Sequence, residues 1–354
     1  MKKYSKILAL ALAVIMVAVM CCGCGSSSSA AASGDSKDLG TYTIRIGHGG
    51  SESHPIHIGC LEMKKYIEEK SDGKLKVEIF PNSQMGGERE MVEAVTNKTL
   101  EIAYTTVGPY TSFVPEYMVL DIPFQFSGYE EAWMVLDSNV GQLLVDKGEE
   151  YGLTQLAWLE SGIRHITTAS VPVHSPADLK GLKMRTMEAA MHMKNFEALG
   201  SNPTPVSWNE LYLAMQQKMV DGQENPIVNI MDLKMYEVQK YITLSAHLYD
   251  AAPFVCNTEW WNSLPAEYQL IIQNGAKMAS SVDRFLSYLQ EDAALEVLEK
   301  NGMTVIELTD AEREEFRSLG QPAVEAAVRA EIGDEFVDTW MSSVSALTSK
   351  EVIS

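Results

Sequence analysis

From residue 41 onward, short runs rich in apolar and β-branched residues alternate with longer stretches whose apolar positions recur every three or four residues, which predicts strands and helices in turn. Strands are expected over 41–47, 75–80, 100–104 and 153–159, with helices over 57–71, 88–97 and 130–151 between them. The Asp72-Gly73 turn separates the first of these helices from the strand that follows. The middle third repeats the alternation, with strands at 163–168 and 182–185 and a helix start at Ser175-Pro176-Ala177-Asp178. Helices follow over 187–199 and 207–219, the latter with Ser207 and Glu210 in capping-box spacing. Residues 221–225, all polar or glycine, read as a loop, and 241–245 and 253–257 as further strands. The alternation predicts an α/β architecture in which helices pack on sheets.

One segment is longer than the rest. Residues 265–299 contain no proline after the first position and only Gly275 interrupts a helix-forming composition. A single helix there would run about 50 Å at 1.5 Å per residue and would have to cross more than one compact lobe. The alternative is two helices broken near Gly275, since glycine weakens a helix interior.

The start of the chain has a different pattern. Lys2, Lys3 and Lys6 precede an uncharged apolar run over 7–20, the n-region and h-region of a secretory signal, too short to span a bilayer comfortably. Next come Cys21-Cys22-Gly23-Cys24-Gly25 and four serines, a sequence that resembles a bacterial lipobox. By that resemblance Cys24, preceded by the small Gly23, is the expected lipidation site, with Cys21 and Cys22 as lesser candidates and a plain cleaved signal as the alternative. Residues 25–38 are too poor in apolar side chains to fold and read as a flexible tether.

Charge narrows the classes of partner. The chain has 28 Lys and Arg against 48 Asp and Glu, a net charge of −20 that becomes −23 without the three leader lysines. Such a balance argues against nucleic acid and against electrostatic attachment to anionic lipid. An anionic ligand would be repelled at long range and would need a locally placed cation. Beyond the leader only Cys60 and Cys256 remain, in no metal-ligand spacing, and two buried thiols or one disulfide are the open readings. His48, His54 and His57 lack the spacing of a metal set, and Gly47-His48-Gly49-Gly50 has no P-loop lysine behind it. No cofactor is therefore expected.

Arginine is scarce where the ligand chemistry should lie. Between Trp158 and Asp250 there are two, Arg164 and Arg185, each at the end of an expected strand. In open α/β sheets the crevice beyond strand ends takes ligands, and a guanidinium presents a planar fork that fits a carboxylate. An ion pair with a nearby acid is the alternative for either arginine.

Three ordered runs make a resemblance specific: Leu179-Lys180-Gly181-Leu182-Lys183-Met184-Arg185, Ala198-Leu199-Gly200-Ser201-Asn202-Pro203-Thr204-Pro205 and Asp221-Gly222-Gln223-Glu224-Asn225-Pro226. Phe80-Pro81-Asn82-Ser83-Gln84-Met85-Gly86-Gly87 and Tyr236-Glu237-Val238-Gln239-Lys240 support them. Together they resemble the solute-binding subunits of tripartite ATP-independent periplasmic (TRAP) transporters, the C4-dicarboxylate-binding family, also called family 7 extracellular solute-binding proteins. The resemblance implies a two-lobed fold like that of periplasmic binding proteins, with hinge strands and a long helix spanning both lobes. On that plan 1–23 is the lipoprotein signal and 24–40 the tether, with lobe I over 41–162 and 251–290 and lobe II over 163–250 and 291–354. It implies that Arg185 pairs with the carboxylate of a small organic acid and Asn225 hydrogen-bonds the same group, that Arg164 is a second contact, and that Trp208 lines the cleft. His48, Gln84 and Glu88 are expected to supply first-lobe contacts. After Arg185, Thr186-Met187-Glu188-Ala189 departs from the aliphatic residue and proline of many members. The implied partners are the membrane permease subunits, with attachment to the membrane through the lipid. A sensing or adhesive lipoprotein is the alternative, and a secreted lyase or hydrolase a further one, though no Gly-x-Ser-x-Gly elbow or zinc-protease helix supports an enzyme.

Overall fold

A computed structural model describes residues 39–349, so the leader, Cys24 and most of the tether lie outside the described residues. Among the described residues, nine strands form a sheet in the order β2-β1-β3-β8-β4-β7-β5-β6, with β9 also paired to β8. At one end β1 (Tyr42–Gly47) runs parallel to β2 (Leu75–Phe80) and to β3 (Ile102–Tyr104). At the other, β5 (Lys183–Thr186) runs parallel to β6 (Asn202–Pro205) and β7 (Gly222–Pro226). Two long antiparallel strands, β4 (Leu153–Thr168) and β8 (Tyr241–Asn257), run between these ends: β3 pairs with 254–256 of β8, and β7 with 164–168 of β4. The last strand, β9 (Thr304–Glu307), lies beside 241–244 of β8.

Each long strand was expected as two short ones. Both are buried along almost their whole length, so they lack the polar-apolar alternation of a half-exposed strand. Of the polar residues between the expected halves, Glu160 and Asp250 are bonded internally. Glu160 accepts from the Trp133 indole and the Tyr249 hydroxyl. The register of β4 slips near Gln155, Glu160 and Arg164, and at Gly162 the backbone takes φ +123°, which a side chain rarely tolerates.

The helix α1 (Pro55–Lys70) buries Ile56, Cys60, Met63 and Ile67 along one stripe, and Pro55 starts it with a preset φ. A helix α2 (Glu88–Thr96) leads into β3, and the single turn α3 (Val107–Tyr110) follows that strand. The helix expected over 130–151 is instead two, α4 (Tyr129–Leu136) and α5 (Asn139–Glu150), because the Ser138 side chain caps the Val140 N–H and starts a new helix. The second half of the sheet carries α6 (Ala190–Ala198), α7 (Trp208–Gln216) and α8 (Ile227–Asp232). In α7 the Ser207 hydroxyl meets Glu210 Oε2 at 3.1 Å but caps no backbone N–H, so the expected capping box is not closed.

After the short α9 (Thr258–Ser263), the long segment is one unbroken helix, α10 (Ala266–Lys300). It packs on α1, β4 and α8, and it stitches the irregular edge of β4: Gln273 donates to the Leu156 carbonyl and Asp283 accepts the Glu160 N–H. Two further helices close the chain, α11 (Asp310–Ile332) and α12 (Asp334–Thr348). Of the span 291–354, expected within one lobe, Ala294, Leu298 and Met303 join a core with Leu211 and Ile230, whereas Val328, Trp340 and Val344 join the core around Tyr117 and Val135. Cys60 and Cys256 are buried free thiols.

Candidate ligand-binding site

The carboxyl ends of β1, β3, β5 and β7 converge on one cavity, the location where α/β sheets bind ligands. Its wall on the β1–β3 side comes from Gly49, Gly50, His54 and Ile56 around the start of α1, Glu88 at the start of α2, Tyr104 at the end of β3, and Thr106 and Pro109 after it. Opposite lie Arg185 of β5, Met187 and Glu188 after it, Ser207 and Trp208 at α7, Asn225 of β7 and Asn229 of α8, with Arg164 of β4 between. The space unfilled by protein atoms, mouth included, is about 550 Å³.

The two arginines have different surroundings. Arg164 is fully buried and committed to acids: Nε and Nη2 donate to the Glu224 carboxylate, and Nη1 donates to Asp250 Oδ2 at 2.7 Å. Burial works against its charge, but these two carboxylates outweigh burial and raise its pKa. Glu224 is the hub of this network: His247 Nε2 lies 3.3 Å and His192 Nδ1 3.6 Å from it. Burial opposes ionisation of Glu224, yet Arg164 and the histidines hold its pKa well below the ordinary value.

Arg185 is as deeply buried, and no acid among the described residues lies within salt-bridge distance of it. Its Nε donates to the Val206 carbonyl at 2.8 Å, while Nη1 is buried without a hydrogen-bond partner. Burial pushes its pKa down to about 10, with Glu224, Glu88 and Glu188 pulling the other way and Arg164 adding to the fall. At neutral pH it is still a cation. A buried cation with an unused N–H is costly unless an anion arrives to meet it.

Asn225 is held by a relay: its Nδ2 donates to Gln223 Oε1, whose Nε2 donates to Thr167 Oγ1 at 2.8 Å. The second Nδ2 hydrogen has no such role there. Trp208 is half-buried, and its indole N–H donates to the Gly49 carbonyl at 3.2 Å, tying α7 to the loop after β1. Glu88 lines the cavity with Oε2 taken by the Thr106 N–H at 2.8 Å and by the Thr106 hydroxyl.

Two expected contacts do not reach the cavity. His48 is buried behind it, with Nε2 3.1 Å from His57 Nδ1, and burial drives its pKa down to about 3, leaving it a neutral packing group. Gln84 is exposed, because the preceding Asn82 and Ser83 both adopt left-handed backbone and the turn carries it outward. Asn229, Ile56 and Pro109 were not anticipated. Asn229 Oδ1 accepts from His54 Nε2 at 2.8 Å, while His54 Nδ1 accepts the Ile56 N–H, and the motif ending at Pro226, which continues into α8, was the available signal. Among the described residues, no group of three His, Cys, Asp or Glu side chains could hold a metal ion.

The family model described as bacterial extracellular solute-binding protein, family 7, matches residues 46–331. The chain belongs to this family. A solute-binding protein of Verminephrobacter eiseniae (strain EF01-2) is 38% identical over 273 residues, covering 77% of this chain and 81% of its own. The crystal structure of the sugar acid binding protein DctPAm from Advenella mimigardefordensis strain DPN7T in complex with galactonate superposes with a TM-score of 0.84 at 32% identity, over 88% of this chain and 100% of that one. A TRAP periplasmic solute binding protein from Polaromonas sp. JS666 bound to D-erythronate gives 0.80 at 36% identity, over 85% and 98%. The two-lobed architecture of these family 7 relatives is therefore that of the present chain, with β4 and β8 running between its two halves.

Proposed function

We propose that this protein is the solute-capturing lipoprotein of a TRAP transporter, tethered outside the cytoplasm through Cys24, and that it takes a small organic acid by its carboxylate and delivers it to the membrane permease. The observation that carries the reading is the buried Arg185, which lines the cavity and whose Nη1 has no hydrogen-bond partner among the described residues. A ligand carboxylate would accept from that N–H and from the spare Asn225 amide hydrogen, and exclusion of water would strengthen both bonds. That relatives of the same fold bind galactonate and D-erythronate supports an acid as the solute. The lobes, in this reading, meet across the cavity near residues 162–163 and 250–251. Arg164 holds the site together from behind rather than touching the carboxylate, because its fork is already filled.

Calorimetric titration with a panel of organic acids should find one that binds the parent protein. Arg185→Ala should weaken that binding by at least about a thousandfold, as expected when a charge-assisted pair is lost from a dry site. Binding undiminished in the variant would refute the assignment. Attachment has its own test: Cys24→Ala should move the protein from the membrane fraction to the soluble one, and unchanged sedimentation would show that Cys24 is not the anchor.

A further inference from the structure

The charges on the cavity wall say more than that an acid binds. Among the described residues, four with formal charge line it: Arg164, Arg185, Glu88 and Glu188. Arg164 is neutralised from behind by Glu224 and Asp250. That leaves one uncompensated cation against two carboxylates that form no salt bridge to any described residue. Arg185 feels both of them, since each adds to the pull that holds its proton.

One free cation accommodates one ligand carboxylate. A second carboxylate on the same small molecule would share the remaining space with Glu88 and Glu188 and meet no cation. Like charges a few ångströms apart in a cavity that excludes water repel strongly enough to cost on the order of a hundredfold in affinity. A hydroxyl has no such penalty. Glu88 has Oε2 filled by Thr106, while Oε1 takes no hydrogen bond from a described residue. A carboxylate oxygen accepts from a hydroxyl, and a carboxyl donates to one, so a hydroxyl partners Glu88 in either protonation state. Repulsion of a second carboxylate belongs to the ionised form, which Thr106, Arg185 and Arg164 favour against the burial that lifts the Glu88 pKa.

We infer that the cavity selects a hydroxylated monocarboxylate and rejects a dicarboxylate, with Glu88 as the residue that reads the hydroxyl and Glu188 adding to the repulsion. The inference rests on the reading of Arg185 as the carboxylate partner and narrows it to one class of acid. Met187, Pro109 and Trp208 supply apolar surface for the carbon skeleton between the two polar ends.

The test is calorimetry at pH 7.5 with D-erythronate, D-galactonate, butyrate and succinate on the parent protein, Glu88→Gln, Glu188→Gln and Arg185→Ala. The better of the two hydroxy acids should bind the parent at least about a hundredfold more tightly than either butyrate or succinate, because a site built around a hydroxyl rejects analogues that lack it. The Glu88→Gln amide offers an N–H to a second carboxylate, so it should narrow the hydroxy acid to succinate ratio by about tenfold or more. Glu188→Gln should narrow it less, by raising succinate binding alone. Succinate binding as tightly as the hydroxy acids, and lost in Arg185→Ala, would overturn this inference while leaving the carboxylate site intact. A ratio unchanged in Glu88→Gln would overturn the role of Glu88. If no acid binds, or all bind Arg185→Ala as well as the parent, the underlying reading fails and the inference with it.

Discussion

Arg164 and Arg185 have the same side chain, similar burial and places on strands separated only by β7, yet opposite consequences when removed. Truncating Arg164 would leave Glu224 and Asp250 ionised in the interior with their counter-ion gone, a loss worth roughly 3–5 kcal/mol in comparable buried pairs. Truncating Arg185 removes a buried charge that no protein acid answers, so the ligand-free protein should lose little stability. Thermal denaturation without ligand should therefore show Arg164→Ala melting well below the parent and Arg185→Ala close to it. Equal destabilisation by the two would mean that Arg185 has a structural counter-ion after all. The sequence showed both arginines at strand ends and left an ion pair open for each. It could not show which one the acids would claim, because Glu224 lies 60 residues and Asp250 86 residues from Arg164 along the chain, and only the pairing of β4 with β7 and β8 brings them together.

At the scale of elements, legibility followed local signals. The strand at 75–80 was read to the residue because its alternation begins just after the Asp72-Gly73 turn. The split between α4 and α5 was missed because no proline or glycine marks it; Asp137-Ser138-Asn139, a cluster of capping residues, was the weaker cue. β6 escaped notice since two of its four residues are prolines, which a sheet edge tolerates and an inner strand does not. β7, Gly222-Gln223-Glu224-Asn225-Pro226, was read as a loop from its polarity, but every residue in it is buried. Its polar side chains serve the charge network and the Thr167 relay, and such pairings are invisible to periodicity. The long helix survives Gly275 for a reason that lies in another element: a Cβ there would come within 2.9 Å of Ile67, and one at Gly59 within 2.7 Å of the Ala279 carbonyl. Each glycine lets α1 and α10 approach closely, and packing of the two helices offsets the helix propensity that Gly275 forgoes.

Across the whole molecule, the loop after β1 reaches over the cavity mouth to the opposite half. The Ser51 N–H and hydroxyl donate to the two oxygens of Asp232, His54 meets Asn229, and the Trp208 indole donates to Gly49. If the two halves close on the ligand as hinged lobes, these bonds, which form without it, favour the shut arrangement. A ligand that binds only the shut state gains apparent affinity in proportion to how often that state is already populated. Asp232→Ala removes the acceptor of two of these bonds while touching no group that lines the cavity. It should weaken the apparent affinity for the true ligand by about three- to thirtyfold, the equivalent of one or two hydrogen bonds. The radius of gyration measured by X-ray scattering should rise for the ligand-free variant relative to the parent, and the two proteins should converge at saturating ligand. An unchanged affinity together with an unchanged radius would show that the loop rests on the far half without influencing closure.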